Sequence, residues 1–573
     1  MNFRLRIFQA VVYSALGVLA FGLFYTQIIQ GYEYRKLGDQ NRIRLMPLEA
    51  PRGLVFDIKG NLLASNRPSY DVLATPEDMT PDVYATLAKL LAVPEKEIRS
   101  RMTAPREYPF APAVIAEDIS RDLIFTLEEL KPELPGVAIR VSGLRFYPYH
   151  ETASHLIGYI GKISPTEYQE KPKERFGMKS LIGRTGIEYI FDDRLRGWRG
   201  GRQVEVDAKG RIVRVISDKP PQIGEDLTVT LDLEFQQKLM ELIKEKTASI
   251  AVLDLKTEGL IALASMPAYD PNVFVAPSYS QERMELLKDP DSPMVDRGSG
   301  SAYPPGSIFK LVTALAALET GKITPNTRFH CNGQFRLKPG SRPFKCWMEG
   351  GHGSLNLYEA IERSCNVYFY NLGKRLDADT IAKYARILGL GERLELELSR
   401  IAPGLVPDSA WKKKQFHEQW YQGDTISFAI GQSYLLTSPL QIMRLSAIIA
   451  KNGQLVHPRL ILDKTEAPQK VQIAIREENL KVIRQAMLRV VEAKYGTGQM
   501  ARVDFDKIAA KTGTAQAPPN KAHSWITGFF PYENPEIAFV VFVEHGGSGG
   551  LNAAFIAKEM IKIWSQTHVA ELA

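Results

Sequence analysis

From Ile7 to Tyr32 the chain carries no charged side chain, and Arg4 and Arg6 stand just before that run. As a helix rising about 1.5 Å per residue it spans about 39 Å, enough to cross a hydrocarbon core with some tilt. The run outlasts a signal-peptide core and ends in Tyr25-Thr26-Gln27-Ile28-Ile29 with no small-residue cleavage site, so it reads as an uncleaved anchor. No later stretch is long and apolar enough to span a membrane. Beyond the anchor, residues 54–56 and 62–64 flank Lys59-Gly60-Asn61 as two short strands around a turn. A mixed region with a helical stretch over residues 81–91 runs to about residue 215, and Lys219-Pro220-Pro221 with Gly224 marks a boundary. Asp232 then caps a helix through Leu239 and Leu242 to Lys246. Residues 249–253 and 260–264 are nearly all apolar, as in strands covered on both faces. A mostly helical middle reaches about residue 497. Strands return at 507–515, 525–530 and 537–544, and a helix over 553–564 closes the pattern. This order predicts an α+β protein: one antiparallel sheet with helices on both faces, beside an all-helical subdomain.

Composition changes this picture little. At 45% hydrophobic and 24% charged, the chain is an ordinary globular one, which excludes disorder or coiled coil as a description of the whole. The net charge of +7 is mild, and the one short basic run, Lys412-Lys413-Lys414, reads as a solvated face. Nucleic acid is therefore not an expected partner. Three cysteines exclude a disulfide scaffold. Charge does not orient the anchor, because Arg35, Lys36, Arg42 and Arg44 beyond it outnumber the basic residues before it.

The candidate chemistry begins at the break Tyr303-Pro304-Pro305-Gly306, after which Ser307 opens a helix that is apolar nearly all round. Lys310 is the exception in it. A buried lysine loses its charge more readily and becomes a useful base, and positions i and i+3 share a helix face with Ser307. A serine hydroxyl is a weak nucleophile until a neighbouring base takes its proton. By itself this pair equally fits an N-cap serine and a lysine reaching to the surface. However, Ser364-Cys365-Asn366 follows 57 residues after Ser307, and Lys511-Thr512-Gly513-Thr514 follows 147 residues after Ser364, on a predicted strand. Three signatures in this order resemble the penicillin-recognising acyl-serine enzymes.

The resemblance covers most of the chain. Pro51-Arg52-Gly53, the glycine-rich stretch ending at Glu188, Tyr303-Pro304-Pro305-Gly306-Ser307 and Lys511-Thr512-Gly513-Thr514-Ala515 are similar to class B penicillin-binding proteins. Gly351-His352-Gly353, Trp420-Tyr421-Gln422-Gly423-Asp424-Thr425 and Gly431-Gln432 resemble the elongation branch, penicillin-binding protein 2, more than its division-specific relative. The resemblance implies a tail over 1–6, a transmembrane anchor over 7–32, a non-catalytic pedestal over 33–225 and a transpeptidase domain over 226–573. It implies a five-stranded sheet in that last domain. It also places the bulk of the chain outside the cytoplasmic membrane, facing the cell-wall space.

The activity implied is D,D-transpeptidation of peptidoglycan stem peptides on lipid II-derived glycan strands, blocked covalently by β-lactams. Ser307 would be the nucleophile and Lys310 its base. Ser364 would relay a proton to the leaving amine, and Asn366 would hold the peptide amide. Lys511, Thr512, Gly513 and Thr514 would form the carboxylate-binding strand, with the backbone N–H groups of Ser307 and Thr514 as oxyanion hole. A SEDS-type glycosyltransferase and other elongation-complex membrane proteins are the implied partners. Two alternatives stand beside this: a carboxypeptidase or β-lactam hydrolase, for which the deacylating Glu-x-x-Leu-Asn pattern is missing, and a tethered antibiotic sensor.

Cys331, Cys346, His352 and Cys365 lie 15, 6 and 13 residues apart. Three thiolates and an imidazole make a closed tetrahedral set for structural zinc. A Cys331–Cys346 disulfide, or three unconnected buried thiols, is also compatible with the spacing. Some penicillin-binding protein 2 relatives resemble this set, with carboxylates in place of the first two cysteines. Among other polar residues, His150 and His155 are expected to satisfy local groups, His523 to border the cleft and His545 to be exposed in a glycine-rich turn. Arg52 and Glu188 are either an internal network joining the pedestal halves or two unrelated surface charges.

Overall fold

The structure, a computed structural model, describes residues 2–34, 43–104, 111–172, 175–207, 212–461, 470–519 and 521–568. Arg35, Lys36 and Arg42 fall outside these. The N-terminal helix Asn2–Phe24 continues through a π turn, Tyr25–Ile29. Its stretch Phe3–Ile29 has a mean hydropathy of 2.0 and none of it is covered by the rest of the molecule. An apolar rod that the protein itself leaves bare is a candidate membrane anchor.

After the N-terminal helix in the described chain comes a three-stranded antiparallel sheet, Ile43–Leu48 beside Gly200–Val206 beside Ile212–Lys219. A second pedestal sheet is built on the long strand Leu62–Ala74, which pairs along its length with Val137–Phe146. The predicted hairpin around Lys59-Gly60-Asn61 is present, and the Asp57 carboxylate ties it by accepting the Lys59 and Asn61 amides at 2.9 and 2.7 Å. The helix Pro81–Leu91 matches its sequence pattern, with Thr80 as N-cap and an apolar face led by the buried Val83 and Leu87.

Arg52 and Glu188 are not surface charges. Glu188 is fully buried and accepts from Arg52 Nε at 2.7 Å, Arg145 Nε at 2.6 Å and the Tyr147 hydroxyl at 3.2 Å. Arg52 also pairs with Asp192 at 2.8 Å. Burial alone would raise the Glu188 pKa, but Arg145 and Arg52 more than offset it and hold the carboxyl below its ordinary value. One carboxylate thus joins the chain leaving the three-stranded sheet, the long Val137–Phe146 strand and the short helix Gly186–Ile190.

The second half is an antiparallel five-stranded sheet in the order Leu260–Met266, Ala248–Asp254, Ile537–Val543, His523–Phe530, Ala509–Ala515. Its central strands are buried throughout, which explains why they read as unbroken apolar runs. Leu233–Leu242 and Ala554–His568 cover one face, with Phe235, Leu239, Met560 and Trp564 in one apolar cluster. The helix capped by Asp232 ends at Leu242, short of the expected Lys246. On the other face lies the insert with helices Lys310–Glu319 and Pro439–Ala450. The insert is not all-helical: Phe329–Cys331 pairs with Gly353–Leu355, and Gln334–Phe335 with Phe344–Lys345. These short ribbons carry too few residues for a period-2 pattern to register.

The basic run is corrected as well. Lys413 and Lys414 are exposed, but Lys412 is buried, 2.6 Å from the Asp424 carboxylate and over the Tyr421 ring. Pedestal and sheet domain meet where Leu233 N–H donates to Asp57 at 3.1 Å and Lys59 pairs with Asp232 at 3.0 Å.

Candidate active site

Ser307 lies in a 3-10 turn, Gly306–Phe309, that feeds the α-helix Lys310–Glu319; the α-helix starts at Lys310, not at the serine. Gly306 makes this geometry possible. It sits at φ +55°, and a Cβ there would lie 2.9 Å from the Thr514 carbonyl oxygen. The turn is thereby pressed against the edge strand Ala509–Ala515, which carries Lys511 to Thr514.

Lys310 is fully buried, as its place in an apolar helix predicts. Its Nζ donates to Asn366 Oδ1 at 2.7 Å, to the Ser364 carbonyl at 2.8 Å and to Ser364 Oγ at 3.2 Å. Burial pulls its pKa down to about 8. Among the described residues no hydrogen bond joins Lys310 to Ser307, whose side chain is half-buried at the head of the turn. Such contacts are commonly long without substrate and close when it binds.

Lys511 approaches from the sheet side. Its Nζ, also fully buried, donates to Ser364 Oγ at 3.1 Å and to the Thr512 carbonyl at 2.9 Å. Burial, and then the nearby Lys310 charge, push its pKa well below the ordinary lysine value. Ser364 Oγ therefore accepts from two amines and keeps its own proton to donate elsewhere. Ser364 holds this place at φ +51°, a left-handed conformation uncommon for a non-glycine residue. Cys365 follows as N-cap of the helix Asn366–Arg375. Thr512 is buried, Thr514 is exposed, and Gly513 lies so close to the turn that a Cβ would meet the Pro305 carbonyl at 2.9 Å.

Behind this loop, Cys331 Sγ and Cys346 Sγ each lie 3.6 Å from His352 Nδ1. With Cys365 Sγ these ligand-type atoms all fall within 4.8 Å of one another. The three cysteines are free thiols, so no Cys331–Cys346 disulfide is formed. Trp347, which the sequence reading passed over, donates its indole N–H to the Arg363 and Ser364 carbonyls at 3.1 and 3.2 Å and pins the loop from outside. His523 is buried in the sheet, against Tyr303 and Phe542, and accepts the His545 amide at 3.1 Å. His545 is half-buried in its turn. His150 and His155 bond Asp270 and the Pro293 carbonyl, both at 2.8 Å, as local partners.

Fold and site together define a serine acyltransferase of the penicillin-recognising class. Residues 248–562 match the penicillin-binding protein transpeptidase domain, and residues 47–229 match the penicillin-binding protein dimerisation domain. The peptidoglycan D,D-transpeptidase MrdA of Escherichia coli K12 is 31% identical over 93% of this chain and 89% of its own length. PBP2 from Helicobacter pylori, solved in complex with MreC, is 28% identical and superposes with a TM-score of 0.82 over 91% of this chain and 99% of its own. A chain from a peptidoglycan synthase complex, solved to explain how polymerization and crosslinking are coordinated, gives a TM-score of 0.73 at 28% identity over 98% of both. The chain belongs to the penicillin-binding protein family, in its pedestal-bearing, penicillin-binding protein 2 form.

Proposed function

We propose that the protein cross-links peptidoglycan stem peptides during cell elongation, using Ser307 as acyl carrier. The observation that carries this reading is the convergence of two buried amines, Lys310 and Lys511, on Ser364 beside the turn that holds Ser307. Ser307 Oγ gives its proton to Lys310 and bonds to the carbonyl carbon of the penultimate D-alanine. The peptide C–N bond breaks, Ser364 passes its proton to the leaving amine and takes one back from Lys310, which is neutral again, and the terminal D-alanine departs. Asn366 holds the peptide amide, while Lys511, Thr512 and Thr514 hold the carboxylate, with Gly513 letting their strand approach the turn. The N–H groups of Ser307 and Thr514 receive the developing oxyanion, where one donor contributes about 3 kcal/mol. An amine of a second stem peptide then attacks the ester, Ser307 leaves with its proton restored, and the cross-link is made. A β-lactam takes the donor's place and stays on Ser307.

This assignment fixes a pH profile. Lys310 acts as base only when neutral, so penicillin acylation is expected to climb with pH through about 8 and level off above it. Stopped-flow labelling measures this, and a rate flat across that range would remove Lys310 from the role.

We propose that the cysteine–histidine cluster, whose donor atoms all lie within 4.8 Å of one another, holds zinc. A tetrahedral ion with Zn–S of about 2.3 Å and Zn–N of about 2.0–2.1 Å separates its donors by roughly 3.5–3.8 Å. The 3.6 Å separations fall in that range. Cys331, Cys346, His352 and Cys365 would hold one ion, which would cross-link the short ribbons to the loop between Ser364 and Asn366. Native mass spectrometry and metal analysis are expected to find about one zinc per chain, and less than about 0.1 would refute it. The same spectrometry after benzylpenicillin treatment should place the acyl group on Ser307.

We divide the chain into a tail (1–6), anchor (7–32), pedestal (33–225) and transpeptidase domain (226–573); the family matches over residues 47–229 and 248–562 favour the last two of these. We place both large domains on the outer side of the cytoplasmic membrane, where the stem peptides are. MreC, the partner of the Helicobacter relative, and a SEDS-type glycan polymerase are the partners this placement favours.

A further inference from the structure

Thr512 and Thr514 can bind a carboxylate only if their hydroxyl protons are free to point at it. A hydroxyl has one proton and two acceptor sites, so what it accepts from the protein decides what it donates. Thr514 Oγ1 accepts the Gly549 N–H at 3.1 Å. Thr512 Oγ1 lies 2.8 Å from Thr497 Oγ1. Thr497 stands in Gly496-Thr497-Gly498, after the helix Glu477–Glu492.

Several contacts hold Thr497 there. Its N–H donates to the Glu362 carbonyl at 3.2 Å, two residues before Ser364. The Glu362 side chain is buried and bonds Arg489 Nε at 2.8 Å, which ties the same loop to the Glu477–Glu492 helix. A Cβ on Gly496 would lie 2.2 Å from the Val490 carbonyl, so only glycine lets the chain turn this tightly behind the strand. The Thr497 hydroxyl has two acceptors in reach: Thr512 Oγ1 at 2.8 Å and the Glu362 carbonyl at 3.4 Å. That carbonyl already receives the Thr497 N–H, and the longer contact is near the limit for an O–H donor. The short contact is thus the more favourable place for the Thr497 proton.

We propose that Thr497 is a positioning residue that donates into Thr512, so that Thr512, like Thr514, turns its own proton toward an incoming carboxylate. Were the direction reversed, Thr512 would present only lone pairs to a negative charge. The inference rests on the acyl-serine reading given above, and it adds a residue that binds no substrate itself but sets the polarity of one that does.

The test compares acylation by benzylpenicillin with acylation by its methyl ester, which lacks the charged carboxylate. Thr497→Val keeps the shape and the backbone N–H and removes the hydroxyl. It is expected to lower the second-order acylation constant for the acid about tenfold and that for the ester less than twofold. Thr497→Ser restores the hydroxyl and is expected to return the acid constant to within about twofold of the unaltered protein. The ratio of acid to ester is taken on the same protein, so partial misfolding scales both constants and cancels. Equal losses on acid and ester, no loss on either, or failure of the serine variant to restore the ratio would overturn the proposal. Absence of any adduct on Ser307 in the unaltered protein would instead overturn the acyl-serine reading, and this inference with it.

Discussion

Ser307→Ala is expected to abolish penicillin labelling and cross-linking while leaving the fold intact. Removing the nucleophile of a unit that acts together removes nearly all the rate that the unit supplies, on the order of a million-fold in a serine hydrolase triad. Stability should barely move, because Ser307 is half-buried and caps nothing: the turn's N-cap is Pro305, with no side-chain cap bond. The measurement is intact mass after incubation with benzylpenicillin, alongside a thermal melt. A variant that still acquires a stoichiometric adduct elsewhere in the transpeptidase domain would reject Ser307 as the acyl carrier.

Glu188→Gln is expected to destabilise the pedestal by about 3–5 kcal/mol, the cost of leaving a buried charge without its partner. The fully buried glutamate faces Arg52 at 2.6 Å and Arg145 at 2.6 Å, both buried too; Arg52 keeps Asp192 as a partner, so Arg145 bears most of the loss. The change should also remove an acid limb. Glu188 has its folded pKa below the ordinary carboxylate range, so its contribution is complete above that range and is lost as pH falls through the depressed value. The glutamine variant lacks that contribution at every pH, so the gap between the two proteins should narrow in acid. Urea unfolding at neutral and acidic pH measures both effects. Equal stability of the two proteins at neutral pH would show that the network is neutral to folding.

Much of this was legible in the residues. The apolar strands around Ile250 and Val540 and the hairpin at Asp57 followed from runs and turn signals that depend only on neighbours in the chain. The proposed catalytic set was legible because Ser307 and Lys310 stand one turn apart, Ser364 and Asn366 two residues apart, and Lys511 to Thr514 in one run. Lys412 was misread because three consecutive lysines look alike in sequence, and only the packing of Asp424 and Tyr421 around the first distinguishes it. Trp347 and Thr497 carried no periodicity at all. Their roles exist only because the fold brings residues 17 and 15 positions apart within hydrogen-bond reach, and the sole local sign was a pair of glycines around Thr497.

The sequence by itself determined the long apolar N-terminal helix, the order of strands and helices, and which side chains are proposed to carry the chemistry, because hydrophobic period, turn residues and short motifs act over a few neighbouring positions. Only the tertiary structure decided that Ser364 lies between two buried amines, that the four Cys and His donors converge, and that Glu188 is shared by two arginines. Those facts depend on burial and on distances between segments more than forty residues apart, or, in the metal-type cluster, on ribbons too short to leave a pattern.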